Sequence, residues 1–264
     1  MKVITDKVIW ITGASSGIGE GLAKALNTPT NKLILSARNT VALNRLKEKS
    51  PYPENIFILP LHLEHYDKME SAATIAIHAF GKVDLLINNA GISQRSLLVE
   101  TDLAVFKKLI DINYLGTVAL TKALLPHFVA QKSGHFATVT SLMGRFGSPY
   151  RSGYCGAKHA LHGFFDVLRM EHEKDNIKVT LICPGFIQTK VAINALTANG
   201  TSQNYNDEAT KNGLTVAEFS KKMIHAIVTE KHEVAIGKKE VLGIYLKRFF
   251  PKLLHKLVLK SNVR

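Results

Sequence analysis

The chain lacks several features that would place it outside the cell or across a membrane. Its 264 residues include two cysteines, Cys155 and Cys183, each inside an apolar stretch. Two are too few for a disulfide framework and suit a reducing compartment, where each serves as a small packing residue. No run of about 18 uninterrupted apolar residues occurs, so no membrane-spanning helix is expected. A strand-like run starts within a few residues of Met1 and leaves no space for the charged and apolar regions of a signal peptide. A cytoplasmic location is the expectation. Acidic residues are scarce, 21 against 34 Lys and Arg, for a net charge of +13. Such an excess suits nucleic acid, a membrane surface or acidic ligands. Its placement narrows the choice, because residues 238–264 hold eight Lys or Arg against Glu240 alone. The body is therefore only mildly basic, and the tail lacks the aromatic or recognition-helix pattern of a nucleic-acid binder. Histidines are scattered without ligand spacing, and no metal is expected.

What is present reads as a folded α/β protein. KVIWIT (7–12), KLILSA (32–37), NIFILPL (55–61), VDLLIN (83–88), HFATVTS (135–141), KVTLICPG (178–185) and HEVAIG (232–237) are short apolar runs of strand character, and most are separated by segments of helical period. The alternation runs on without a linker or composition break. It predicts a single-domain Rossmann fold over residues 1–240, a doubly wound parallel sheet of about seven strands flanked by helices. Residues 241–264 form a basic amphipathic extension, predicted as two short helices separated at Pro251. In the second, Leu253, Leu254, Leu257 and Val258 share one side and Lys252, Lys256 and Lys260 the other. That face can cover the chain's own domain, a partner subunit in a homodimer or homotetramer, or a membrane interface.

The first strand runs into GASSGIG and then a helix, the context in which a glycine turn binds a pyrophosphate. Gly13 permits the turn, Gly17 lets backbone N–H groups approach phosphate, and Gly19 allows close helix–strand packing; plain packing also uses such turns. The second strand ends in Ala37 and Arg38 with no carboxylate, which favours a 2′-phosphate and hence NADP(H) over NAD, with Ser15 as a second phosphate contact. A solvated turn arginine is the alternative. NNAG (88–91) puts two amides at a strand end, where they can satisfy a neighbouring strand or line a cleft. Asn113, inside a helical region over 101–131, is locally unfavourable and is either satisfied in the core or part of a site. Residues 190–213 lack periodicity and read as a mobile lid.

Ser141, Tyr154 and Lys158 form the chemical centre of this reading. Tyr154 and Lys158 lie one helical turn apart. A phenol titrates near ~10, and an adjacent ammonium is expected to lower it toward useful acid/base range. The same spacing also arises on an ordinary amphipathic helix with a half-buried Tyr and a solvated Lys. Ser141 falls at the carboxyl end of a strand, where open α/β sheets bind ligands.

Taken in register, TGASSGIG (12–19), NNAG (88–91), Asn113, Ser141, YCGAK (154–158) and PGFIQT (184–189) resemble the short-chain dehydrogenase/reductase family over nearly the whole chain. More narrowly they are similar to the branch typified by dehydrogenase/reductase member 7, near the 11-beta-hydroxysteroid dehydrogenases. The resemblance implies an NADP-dependent oxidoreductase moving a hydride between nicotinamide and a carbonyl or secondary alcohol. It implies that Tyr154 is the acid/base, that Ser141 bonds the reacting oxygen, that Lys158 binds the nicotinamide ribose and lowers the Tyr154 pKa, and that Asn113 holds a water leading to Lys158. Gly13, Ser15, Gly17, Ile18 and Gly19 would cradle the phosphates, Arg38 the 2′-phosphate, Asn88 and Ala90 the adenosine, and Ile187 and Thr189 the carboxamide end. Ser16, Gly91, Pro184 and Gly185 belong to the same motifs. The family's adenine-pocket Asp is replaced here by His62.

Around these groups Leu142, Met143, Phe146, Tyr150, Phe186, Val191 and Ile193 are expected to line an apolar substrate pocket. The alternative is a non-catalytic NADP-binding sensor or scaffold, which has no need for the full set of acid/base residues.

Overall fold

Aliphatic runs too apolar to face water on either side pair into one buried parallel sheet. The computed structural model describes residues 3–261; Met1, Lys2 and residues 262–264, which include the tail's last basic residue, Arg264, lie outside the described residues. The elements follow the chain as β1 (Val8–Thr12), α1 (Gly17–Leu26), β2 (Lys32–Ser36), α2 (Thr40–Glu48), β3 (Ile56–Ile58), α3 (Met69–Phe80), β4 (Leu85–Asn88), α4 (Leu103–Ile110), α5 (Gly116–Ala130), β5 (Gly134–Val139), α6 (Ser152–Glu171), β6 (Ile177–Pro184), α7 (Glu208–Lys211), α8 (Val216–Val228), β7 (Glu233–Ile236), α9 (Leu242–Phe249) and α10 (Pro251–Lys260). The strands lie in the order β3-β2-β1-β4-β5-β6-β7, every neighbour parallel.

The order reverses between β1 and β4, so a crevice opens at their carboxyl ends. Side chains alternate across the sheet. Ile9 and Ile11 of β1 join Leu22 and Phe219 in one core layer, while Val8 and Trp10 join Phe128, Phe136 and Phe165 in the other. Trp10 sits wholly inside, and its indole N–H donates to Ser36 Oγ at 2.8 Å. The expected strand over 55–61 stops at Ile58 near Pro60, yet Leu59 and Leu61 still donate to Leu35 and Ala37 carbonyls at 3.0 and 3.3 Å.

The helical region over 101–131 holds a π turn, Asp111–Leu115, between α4 and α5, with Asn113 at its centre. Residues 190–213 form a folded strap rather than a loose flap. Ala192 and Ala195 are buried, and Leu196 exchanges backbone bonds with Ser93 and Arg95 at 2.9 and 2.8 Å.

Pro251 opens α10 as predicted. The apolar side of α10 is divided, however: Leu254, 7% exposed, and Val258 pack with Leu142, Phe146 and Cys183, whereas Leu253 and Leu257 are 48% and 47% exposed. The tail therefore covers its own domain with half of that face. No described helix is long and apolar enough to cross a membrane.

His135 of β5 is held to about 4 by burial, its Nε2 2.8 Å from Thr180 Oγ1. A depressed histidine leaves the native state binding fewer protons than the unfolded chain, so stability is lost as pH falls from about 6.5 toward 4, by about 3 kcal/mol. Melting temperatures measured across that window should fall less steeply in His135→Asn; an unchanged slope would show that other groups govern acid unfolding.

Candidate active site

The switch-point crevice deepens into a cavity of about 1250 Å³ running from the glycine turn to α10. Gly13 and Gly17 take positive φ, +66° and +57°, where other residues are strained. A Cβ on Gly13 would stand 2.8 Å from Ala90 Cα, and one on Gly17 3.2 Å from Thr189 Cγ2. Bare backbone is therefore required on both sides of the crevice. Ser15, Ser16, Ile18, Arg38, Ala90, Gly91, Pro184, Gly185, Ile187 and Thr189 line the same cavity. Gly19 does not; its missing side chain makes room for the Gly13 carbonyl. His62 lines the wall with Arg38, and burial holds its imidazole below the usual value.

One expected cofactor contact needs correction. Asn88 is 4% exposed and faces the core, where its amide meets Thr121 and Thr138 hydroxyls at 3.1 and 3.5 Å. Asn89, one residue on, lines the cavity and donates to the Thr12 carbonyl at 2.9 Å. Alternation along the strand end decides which amide turns outward. Asn113 is fully buried and also does not line the cavity. Its Oδ1 accepts the Ile92 N–H at 2.8 Å and its Nδ2 donates to the Ile92 carbonyl at 2.9 Å, so the side chain is committed to holding the 91–93 loop. π turns cluster at functional sites, and this one supplies such a clamp.

Ser141, Tyr154 and Lys158 meet in the cavity wall. Ser141 lies two residues past β5, caps the next turn by accepting the Met143 N–H at 3.0 Å, and hydrogen-bonds the Tyr154 phenol. Lys158 Nζ donates to the Val139 carbonyl at 2.9 Å and lies 5.8 Å from the Tyr154 ring centroid. The first turn of α6 is anchored from outside, since Gln94 Oε1 accepts the Gly153 and Tyr154 N–H groups at 2.8 and 3.3 Å.

The electrostatics correct a second expectation. Burial pushes the Tyr154 phenol up, not down, opposed by the Ser141 hydrogen bond and by Arg95 and Arg151. Lys158 is itself pulled down to about 8 by burial. The phenol therefore keeps its proton at neutral pH, and the acidifying charges come from two arginines that motif reading passed over.

Among the expected substrate-side residues, Leu142, Met143, Phe146, Phe186 and Val191 line the cavity, joined by Leu246, Leu254, Leu257 and Val258 of the tail. Tyr150 and Ile193 do not. Tyr150 sits in a turn at φ +65°, and Ile193 lines a separate groove of about 1200 Å³ between α1 and α8. Sequence reasoning also missed Gln94, Arg95, Arg151 and Asp207. The polar run SQR, one residue beyond NNAG, and an arginine three residues before the tyrosine, were the available signals.

A doubly wound α/β fold with a ligand crevice at its switch point is what these elements define. Comparison with known proteins makes the class specific. The family described as short chain dehydrogenase matches residues 7–200. The human protein "Dehydrogenase/reductase SDR family member 7" is 40% identical over 255 residues, 94% of this chain and 75% of that protein. The mouse "Dehydrogenase/reductase SDR family member 7B" is 37% identical over 261 residues, 97% of this chain and 81% of that one. Among solved structures, a short-chain dehydrogenase from Streptomyces avermitilis is 26% identical with a TM-score of 0.81, over 97% of this chain and 98% of that one. A Burkholderia phymatum relative in complex with NAD, 21% identical, gives a TM-score of 0.82 over 96% of each chain and shares the fold. The chain belongs to the short-chain dehydrogenase/reductase family.

The Asn113 clamp carries a prediction. Asn113→Ala leaves the part-buried N–H and C=O of Ile92 without these partners and should lower stability by about 1–3 kcal/mol, read from the urea midpoint. A loss under about 1 kcal/mol would show that the loop holds itself.

Proposed function

We propose that the protein is an NADP(H)-dependent oxidoreductase that moves a hydride between nicotinamide and a carbonyl or secondary alcohol of a molecule with a substantial apolar part. The observation that carries this reading is the convergence of Ser141, Tyr154 and Lys158 on one wall of a cavity that also contains the glycine turn and Arg38. The fit to a dinucleotide rests on the bare backbone at Gly13 and Gly17 and on an arginine, rather than an acid, beyond β2. When bound, the cofactor supplies or accepts the hydride. Gly13, Ser15, Ser16, Gly17 and Ile18 would hold its phosphates, Arg38 its 2′-phosphate, Ala90 and Gly91 the adenosine side, and Ile187 and Thr189 the other end.

The remaining chemistry belongs to the chain. Tyr154, protonated at neutral pH, donates to the carbonyl oxygen as negative charge develops there. Ser141 supplies a second hydrogen bond to that oxygen. Lys158, fixed by Val139, places a cationic group beneath the reacting centre and beside the ribose position. A phenol held up by burial favours the reductive direction at neutral pH, and oxidation of an alcohol gains rate as pH rises and the phenolate forms. The rival reading, a non-catalytic NADP sensor, is weaker because cofactor binding alone needs neither Tyr154 nor Ser141.

Tyr154→Phe should reduce NADPH oxidation in the presence of a carbonyl substrate by at least about 10²–10⁴-fold while NADPH affinity, followed by fluorescence, stays within about twofold. Turnover at the parent rate in that variant would refute the acid/base assignment. Arg38→Asp should weaken NADPH binding tenfold or more, about 1.4 kcal/mol, and leave NADH nearly unchanged. Equal effects on the two cofactors would remove the 2′-phosphate contact.

A further inference from the structure

The charge on the cavity wall is lopsided. Among the described residues that line it, Glu240 is the one carboxylate, and it is committed to the Phe186 N–H at 3.1 Å. The cofactor reading accounts for Arg38 and Lys158. It leaves Lys108, Lys190 and Lys239 on the wall, together with Arg95, from the loop after β4, and Arg151, at the start of α6; of these, the two arginines act on the Tyr154 phenol. Their side chains are 7% and 5% exposed. They share Asp207, whose Oδ2 lies 2.8 Å from Arg95 and 3.8 Å from Arg151.

Asp207 does not line the cavity. It is 1% exposed and lies behind the two guanidiniums, with Oδ1 accepting the Thr210 N–H at 2.8 Å. The anion of this trio thus anchors from the protein side. The guanidiniums are also tied within the chain, Arg95 Nη1 donating to Ser93 Oγ and the Gln94 carbonyl at 2.9 and 2.8 Å and Arg151 Nη1 to Ser148 Oγ at 3.1 Å, while both side chains border the chamber. Two positive charges against one inside a buried cluster carry a desolvation cost that a ligand anion would offset. Arg151 registers that cost, pushed down to about 10 by burial and then by Arg95. Arg95 Nε is buried with no acceptor.

We propose that Arg95 and Arg151 form a substrate-anion subsite. The molecule whose carbonyl meets Tyr154 carries a carboxylate or phosphate a few bonds from that carbonyl, and its apolar remainder lies along Met143, Phe146, Leu246, Leu254 and Leu257. This rests on the oxidoreductase reading above and narrows its substrate to amphipathic oxo acids or oxo phosphates. Guanidinium groups suit either anion through paired N–H donors. An anion seated there also offsets the pull of both arginines on the phenol, so Tyr154 holds its proton more firmly when the right substrate is bound.

The test is calorimetric titration of the full-length protein, saturated with NADP⁺, using three unreactive ten-carbon probes: decanoate, decyl phosphate and decanol. One or both anions should bind at least tenfold more tightly than decanol, and the tighter one identifies the group recognised. Arg95→Gln or Arg151→Gln should abolish the preference, and Arg45→Gln, on the exposed side of α2, should keep it. Decanol binding within twofold of both anions, or an anion preference that survives both glutamine variants, would overturn the proposal. Arg95 also ties down the strap, so if its variant fails to fold, the ratios for the parent protein and Arg151→Gln decide. A second arm compares 4-oxodecanoate with its methyl ester as substrates for NADPH oxidation, and the acid should show at least tenfold higher kcat/KM. Equal turnover of the two would reject the subsite alone. Anion-selective binding without turnover of either compound would count against the reductase reading alone.

Discussion

One stretch of backbone, residues 88–96, holds the rest of the site in register. It is fastened at almost every position to a different part of the protein. Asn88 is tied to Thr121 and Thr138, the N–H groups of Asn89 and Ala90 to Thr12 Oγ1, Ile92 to Asn113, Gln94 to the first turn of α6 and Arg95 to Asp207. Ser96 ends the run by donating to the Tyr150 carbonyl at 3.1 Å. Each bond satisfies a buried or part-buried polar group that would be costly to leave without a partner. Because these bonds share one segment, the glycine turn, the π turn, the catalytic helix and the strap cannot shift independently.

That arrangement explains why the acid/base residues can be buried without collapsing into an arbitrary geometry. Lys158 is fixed through Val139, and Ser141 through its own capped turn, so both stand ready before any ligand arrives. The cost appears in the titration of these groups, the phenol raised and the ammonium lowered. The arginines work against the first of those shifts. Charge is thereby divided between a buried lysine and two guanidiniums on the cavity wall.

Much of the architecture was legible in the sequence because it depends on local pattern. Continuous aliphatic runs dictated a buried parallel sheet, the glycine turn followed a strand, a four-residue spacing placed Tyr154 over Lys158, and Pro251 split the tail. What was illegible depends on distance along the chain or on a single step of alternation. Arg95 and Asp207 are 112 residues apart, and Gln94 reaches Gly153 across 59. Nothing local marks either pair. Asn88 and Asn89 are chemically identical, and only the strand's pleat sends one to the core and the other to the crevice. The direction of the Tyr154 shift was misread because burial, absent from a sequence, outweighs a neighbouring charge. The divided face of α10 escaped for the same reason, since helical period gives a stripe but not the width of the surface it meets.

Gly243 lets α9 lie directly on the Phe146 ring, and Leu254 reaches Leu142 beside the serine turn. The far wall of the chamber is thus made from α9 and α10, separate from the strands and loops that place Ser141, Tyr154 and Lys158. Exchange of these two helices between relatives redraws one side of the chamber and leaves the serine, tyrosine and lysine where they stand. The shape of the space and the polar groups facing it can therefore vary as nearly independent modules.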